Sequence, residues 1–153
     1  MTVHTVSGDL FVNHVNAAAF AHGCNIRGTM RAGVSSEIKR RYPAMVEAYL
    51  EICRAGTFSL GDSFYWYDPD KPDVFTLAIQ VEPGSPASLA SLESALRDMR
   101  HQAETEGILS IASPRIGAGH GQLQWADVRA TIEAVFGAWP GMFYIYEDFV
   151  PGE

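Results

Sequence analysis

The stretch Ser110-Ile111-Ala112-Ser113-Pro114-Arg115-Ile116-Gly117-Ala118-Gly119-His120-Gly121-Gln122-Leu123 decides how this chain is read. Ile108–Ala112 is an apolar run of strand length, and Ser113–Gln122 is a loop with glycines at alternate positions, Gly117, Gly119 and Gly121. Directly after it, Trp125, Val128, Ile132 and Val135 recur at helical intervals, which predicts a helix over Trp125–Phe136. A glycine-rich loop of this length is costly in backbone entropy, and a plain turn needs fewer glycines. Glycines just ahead of a helix start let several N–H groups point at one anion.

Working outward, the same grammar repeats. Upstream, Ser88 or Ser91 can cap a helix with Leu92, Leu96, Met99 and Ala103 on its apolar face, closed by Gly107. Before that, Ser63–Tyr67 and Val74–Val81 are β-rich runs flanking a proline-containing turn, the pattern of a hairpin. Val34, Ile38, Tyr42, Met45, Tyr49 and Ile52 follow helical spacing, and Pro43 breaks them into two helices, the second closed by Ala55-Gly56. Val3–Val6 and Ala17–His22 read as strands near the amino end, and Met142–Tyr146 as the last one. The second half therefore alternates strand and helix, which predicts an α/β fold with a largely parallel sheet covered on both faces. Ligands in such sheets sit at the carboxyl ends of strands, in the loops that feed helices. A second loop occupies such a place: Gly28-Thr29-Met30-Arg31-Ala32-Gly33-Val34, after a strand and running into a helix. It suits a diphosphate but equally an ordinary connection, and it matches neither GxxxxGK[ST] nor GxGxxG.

Bulk properties narrow the ligand. With 153 residues and a formal net charge of -7, the chain fits one domain, 1–153, and its acidity disfavours general nucleic-acid binding. A small anion is compatible, because oriented amides bind phosphate without net positive charge. Cys24 and Cys53 are too few for a disulfide framework and lack metal-ligand spacing, so both read as reduced thiols in the cytoplasm. No cofactor or metal is implied, and no apolar stretch reaches the length of a membrane span.

The candidate side chains carry two readings each. Asp9 can accept from an exocyclic amine or serve as a turn or helix cap. Asn13, Asn16 and Asn25 can bond a ribose hydroxyl or stabilise turns. His22, ending an apolar strand, reads better as a hydrogen-bonded core histidine than as a ligand contact. His120, among glycines, is the better proton-transfer candidate. Tyr146 can stack on a base or belong to the core.

Together, Gly8-Asp9-Leu10, Ala21-His22-Gly23-Cys24-Asn25, Met30-Arg31-Ala32-Gly33-Val34 ahead of Ile38-Lys39-Arg40-Arg41-Tyr42-Pro43, and Ser110–Gly119 followed by Leu123-Gln124-Trp125 resemble a macrodomain. The nearest likeness is to the branch of the terminal ADP-ribose protein glycohydrolase, similar also to DNA-ADP-ribose-removing antitoxins. The resemblance implies a three-layer αβα sandwich around a mixed sheet, ADP-ribose as ligand, and its removal from carboxylate side chains or nucleobases. It implies Asp9 on the adenine amine, with Leu10 beside the ring and Tyr146 near it. Thr29–Val34 and Ile116–Gln122 would hold the diphosphate and distal ribose, with His22 and Asn25 close to that ribose, and Ser113, Pro114 and Arg115 lead into the second loop. Two departures stand out. The branch's lysine after the central strand is replaced in Ile79-Gln80-Val81, and its second-loop aspartate is replaced by His120-Gly121. A lysine adduct is therefore not expected. The reading that follows is a metal-independent hydrolase of mono-ADP-ribose esters on acidic side chains. His120, and less directly Asn25, are its catalytic candidates, with Gln80 and Glu82 as weaker groups for orienting water. A non-catalytic ADP-ribose reader and a hydrolase of small metabolites such as O-acetyl-ADP-ribose are the alternatives, and an ADP-ribosylated nucleobase stays open as partner.

Overall fold

The computed structural model describes residues 2–31, 33–119 and 121–153. Six strands, β1 (Val3–Gly8), β2 (Ala19–Asn25), β3 (Ser63–Trp66), β4 (Asp73–Gln80), β5 (Ser110–Ser113) and β6 (Met142–Phe149), form one sheet in the order β1-β6-β5-β2-β4-β3. Only the β3–β4 pair is antiparallel; the other pairs run parallel. Among the described residues four helices cover it: α1 (Gly33–Arg41), α2 (Pro43–Arg54), α3 (Leu89–Glu106) and α4 (Trp125–Phe136). This is the expected α/β architecture with a mixed, largely parallel sheet.

The strands alternate between two cores because successive side chains point to opposite faces. From β4, Phe75, Leu77 and Ile79 pack with Leu92, Leu96 and Met99 of α3 and Val128, Ile132 and Phe136 of α4. Val74 and Ala78 pack on the other face with Ile38, Met45 and Tyr49 of α1 and α2. Pro43 stands at the first position of α2, where its missing N–H costs nothing, so it separates the two helices as its ring predicts. Ser88 caps α3, its side chain accepting from the Ser91 amide, and Gly107 ends that helix in the left-handed region.

Every strand differs in extent from the expectation, β3 and β4 by no more than one residue at an end and β1 by two, with the larger changes in β2, β5 and β6. β2 continues past His22 to Asn25 because β4 keeps supplying backbone partners, Gly23 opposite Leu77 and Cys24 opposite Ala78. Gly23 looks like a strand breaker but is needed there: a Cβ on it would lie 2.5 Å from Ile79 Cδ1. β5 begins at Ser110 rather than Ile108, since the chain first leaves the left-handed cap at Gly107. β6 runs on to Phe149, drawn out by parallel pairing with β1 as far as Gly8. No helix among the described residues is long and apolar enough to cross a membrane.

A candidate phosphate and ribose site between two loops

The chain reverses its direction across the sheet between β2 and β5, which are far apart in sequence but adjacent and parallel. The loops leaving their carboxyl ends face each other across the crevice that such a reversal creates. A 390 Å³ cavity fills it, lined on one side by Thr29, Arg31, Gly33, Val34 and Ser35, and on the other by Pro114–Gly117, Gly119 and Gly121. Its remaining walls are Gly23, Cys24 and Asn25 from β2, Ile79 and Gln80 from β4, and Pro83 and Gly84 beyond it.

The first loop is built around one amide. Asn25 is 4% exposed, and its Oδ1 accepts from the backbone N–H groups of Arg27, Gly28 and Thr29 at 3.0, 3.1 and 3.2 Å. Its Nδ2 donates to the Thr29 carbonyl at 2.8 Å, and Tyr49 donates its hydroxyl to the Asn25 carbonyl at 2.7 Å. Gly28 sits at φ +89°, and a Cβ there would come within 3.0 Å of Leu50, so glycine is required by conformation and space. With its side chain spent on the loop, Asn25 shapes the site rather than acting as a proton-transfer group. The amides it satisfies are closed to a ligand. The open ones on this side belong to the start of α1, where Gly33, Val34 and Ser35 lack intrahelical acceptors and line the cavity.

The second loop relies on its own backbone. Leu123 N–H donates to the Gly117 carbonyl at 2.9 Å, Gln122 N–H to Gly119 at 3.1 Å, and Ala87 N–H to Gly121 at 2.8 Å. The N–H groups of Ile116, Gly117 and Gly119 have no acceptor among the described residues, and these residues line the same cavity with Gly121. A Cβ on Gly121 would lie 2.7 Å from the Gly117 carbonyl oxygen, whereas one on Gly119 would meet nothing within 4 Å. Arg115 is held with its guanidinium 5.1 Å from the Trp125 ring centroid, and Trp125 Nε1 donates to Glu147 at 2.6 Å.

Two further cavities extend the crevice. One, of 590 Å³, lies between Asp9, Phe11, Gly33, Val34, Glu37, Arg41 and Phe149. Aromatic rings and a carboxylate suit a flat heterocycle with an amino group. Asp9 Oδ1 accepts from the Phe11 amide at 3.0 Å and Oδ2 from Gly152 at 3.2 Å, which leaves lone pairs on each oxygen. The other, of 570 Å³, includes Pro114, Arg115, Ala118, Gly119, Trp125, Tyr146 and Phe149. The exposed Phe149 is shared by both, and sequence reasoning missed it because the last strand was expected to end at Tyr146.

Several candidates lie elsewhere. His22 is 1% exposed, with Nδ1 bonded to the Ser35 hydroxyl at 2.9 Å and Nε2 to the Thr76 hydroxyl at 2.8 Å. Burial holds its pKa down to about 3, so the ring is a neutral brace under the start of α1 and not a ligand contact. Leu10 and Met30 are buried in the cores on the α1 face, and Ser113 is fully buried with its hydroxyl on the Pro114 carbonyl. Gln122 is exposed at φ +62° and lines none of the three cavities. Tyr146 is 4% exposed, edge-on to His14, and reaches the third cavity only as part of its wall. Ala32 and His120 lie outside the described residues. Cys24 and Cys53 are free thiols, and among the described residues no group of three or more histidines, cysteines and carboxylates could hold a metal.

The family model described as Macro domain matches residues 21–132, which spans both loops and the sheet reversal between them. The chain belongs to the macro domain family. It is 30% identical over 134 residues to the DNA ADP-ribosyl glycohydrolase of Mycobacterium tuberculosis, covering 85% of this chain and 37% of that protein. It thus spans little more than a third of that relative's length. The ADP-ribose 1''-phosphate phosphatase of Candida albicans is 23% identical over 144 residues, covering 86% and 92% of the two chains. Among solved structures, the macrodomain of M. tuberculosis DarG superimposes with a TM-score of 0.85 at 27% identity, over 98% of each chain. Relatives of this macro domain are therefore ADP-ribosyl hydrolases and an ADP-ribose phosphatase.

Proposed function

We propose that this macro domain binds ADP-ribose along its crevice and releases it from a covalently modified acceptor, foremost an ester on an acidic protein side chain. The observation that carries this is the pairing of two loops on adjacent strands, which line one cavity, with unpaired amides at Val34 and Ser35 of the helix start and at Ile116, Gly117 and Gly119. Converging N–H dipoles at a helix start suit a diphosphate. The Asp9, Phe11 and Phe149 cavity suits the adenine, which leaves the floor formed by Asn25, Ile79 and Gln80 for the distal ribose.

The acceptor follows from leaving-group chemistry. Among the described residues the cavity lining holds no carboxylate, lysine or histidine to protonate a departing group or form a lysine adduct, and its Cys24 thiol is turned to the Thr29 carbonyl. A carboxylate leaves without being protonated, because it is a weak base whose conjugate acid has a pKa of about 4, whereas a nucleobase nitrogen is a poorer leaving group. Positioning of water and a preformed field of amides would then supply most of the rate. His120 is the residue of the sequence best suited to assist as an acid or base. A nucleobase acceptor is the second reading, favoured by the 30% identical DNA ADP-ribosyl glycohydrolases.

Calorimetry with ADP-ribose comes first, with binding expected in the micromolar range typical of metabolite sites. Absence of binding at millimolar ligand would refute the proposal. Released ADP-ribose would then be measured from a glutamate-modified protein and from a base-modified oligonucleotide. Faster release from the ester is expected; release from the oligonucleotide alone would transfer the assignment to DNA, and binding without release from either would make the domain a reader.

A further inference from the structure

Two amides stand side by side in the cavity wall, Asn25 at the end of β2 and Gln80 at the end of β4, paired across a register shift that follows Cys24. Their hydrogen bonding is unequal. Asn25 uses both ends of its amide on the first loop. Gln80, 9% exposed, donates Nε2 to the Ser85 carbonyl at 2.7 Å, while its Oε1 accepts from no described residue. A carbonyl cannot donate, so the contact with Ser85 fixes which end of the amide is nitrogen. Ser85 is itself rigid: its hydroxyl donates to the Glu82 carbonyl at 2.7 Å and accepts from the Glu82 amide at 3.2 Å. The Gln80 backbone is fixed too, accepting from Ile26 N–H at 3.2 Å. Of the other polar side chains in the wall, Ser35 is engaged with His22 and the Gly23 carbonyl, Thr29 is half-buried, and Arg31 and Arg115 can donate but not accept. Gln80 Oε1 is thus a preoriented, accessible acceptor on the cavity wall, its lone pairs unclaimed by any described residue. An accessible, oriented carbonyl oxygen can accept a hydrogen bond from a bound water or hydroxyl.

We propose that Gln80 is the water-positioning residue of this site: its Oε1 accepts a hydrogen bond from the attacking water and aims it at the anomeric carbon of the distal ribose. The inference rests on the hydrolase reading above. In the step, the water oxygen forms a bond to the anomeric carbon as the bond to the acyl oxygen breaks. The carboxylate departs with the electron pair, and the water's surplus proton passes to solvent, since a neutral amide does not retain it. The Gln80 carbonyl dipole, negative toward the reacting carbon, also favours the positive charge that develops there.

Gln80→Met and Gln80→Glu test this on the full chain with the glutamate-ester substrate. Gln80→Met keeps the volume and removes the acceptor, so kcat should fall about 100-fold while ADP-ribose affinity by calorimetry stays within a few fold. Gln80→Glu restores an acceptor oxygen, so it should retain most of the rate near neutral pH. It should also add an acidic limb to the pH profile in the carboxylate range, where the rate drops as the new group is protonated. Unchanged kcat in Gln80→Met would overturn the assignment. Equal loss in both variants without the acidic limb would also overturn it, because Gln80 would then only brace the Ser85 turn. If Gln80→Met does not fold, the limb in Gln80→Glu decides alone. Binding without release by the unaltered protein would refute the hydrolase reading and Gln80's role together, whereas release unaffected by Gln80→Met refutes the second only.

Discussion

The two loops that face each other across the crevice are held in opposite ways. The first is organised by a side chain, with Asn25 engaging four backbone groups between Arg27 and Thr29. The second is organised by the backbone itself, with Gly117, Gly119 and Gly121 carbonyls accepting from Leu123, Gln122 and Ala87. A side-chain hub concentrates stability in one residue and consumes amides, so the first loop offers a ligand only the helix start beyond it. A backbone scaffold spreads stability thinly and leaves amides open, at the cost of requiring glycines. The difference locates where substitutions should hurt the fold and where they should hurt binding.

The contrast breaks most severely at the hub. Asn25→Leu removes the four hydrogen bonds to the loop and leaves three part-buried amides unpaired, so we expect a loss of about 3–5 kcal/mol in denaturant unfolding, with loss of ADP-ribose binding. A loss below about 1 kcal/mol would show that the first loop is not hub-supported.

The brace under the same loop can be probed by pH. His22 is held at about 3 in the folded protein against 6.5 in its absence. Between those values the unfolded chain binds the extra proton, so stability is full above pH 6.5 and falls as pH drops. The slope should approach about 1.4 kcal/mol per pH unit below that point. Comparing unfolding free energies at pH 7 and 5 checks it, and His22→Gln should flatten the difference; an unchanged slope would assign it to other groups.

In the second loop, two glycines a residue apart should behave differently. Gly121→Ala pushes a Cβ to 2.7 Å from the Gly117 carbonyl oxygen and forces the backbone apart, with an expected cost of about 1–3 kcal/mol. Gly119→Leu meets open space, so unfolding free energy should change by less than about 1 kcal/mol. Affinity for ADP-ribose should nevertheless fall at least tenfold, as the side chain occupies the cavity the loop lines. Retained affinity in Gly119→Leu would remove the second loop from the ligand site.

Much of the architecture was legible along the chain. The helical spacing broken at Pro43, the cap at Ser88, the end at Gly107 and the alternation of strand and helix in the second half all reappear in the structure. Such features are set within a few residues by ring closure, side-chain capping and periodicity. The glycines of the second loop were legible for the same reason, since their number exceeds what a turn needs. The site's side chains were less so. His22 read from its strand as a hydrogen-bonded core histidine and is one, but its partners Ser35 and Thr76 were not legible in the sequence. Gln80 and Phe149 gained their places only through strand pairing, with Asn25 and with Gly8.

The sequence by itself therefore determined the elements, the glycine loops and the membership of a fold class. The tertiary structure alone decided that β2 and β5 lie side by side, which amides stay open, and which of two neighbouring side-chain amides keeps a free oxygen. The physical reason is range. Propensity and capping act over a few bonds, whereas hydrogen-bond satisfaction in a cavity depends on groups brought together from distant parts of the chain.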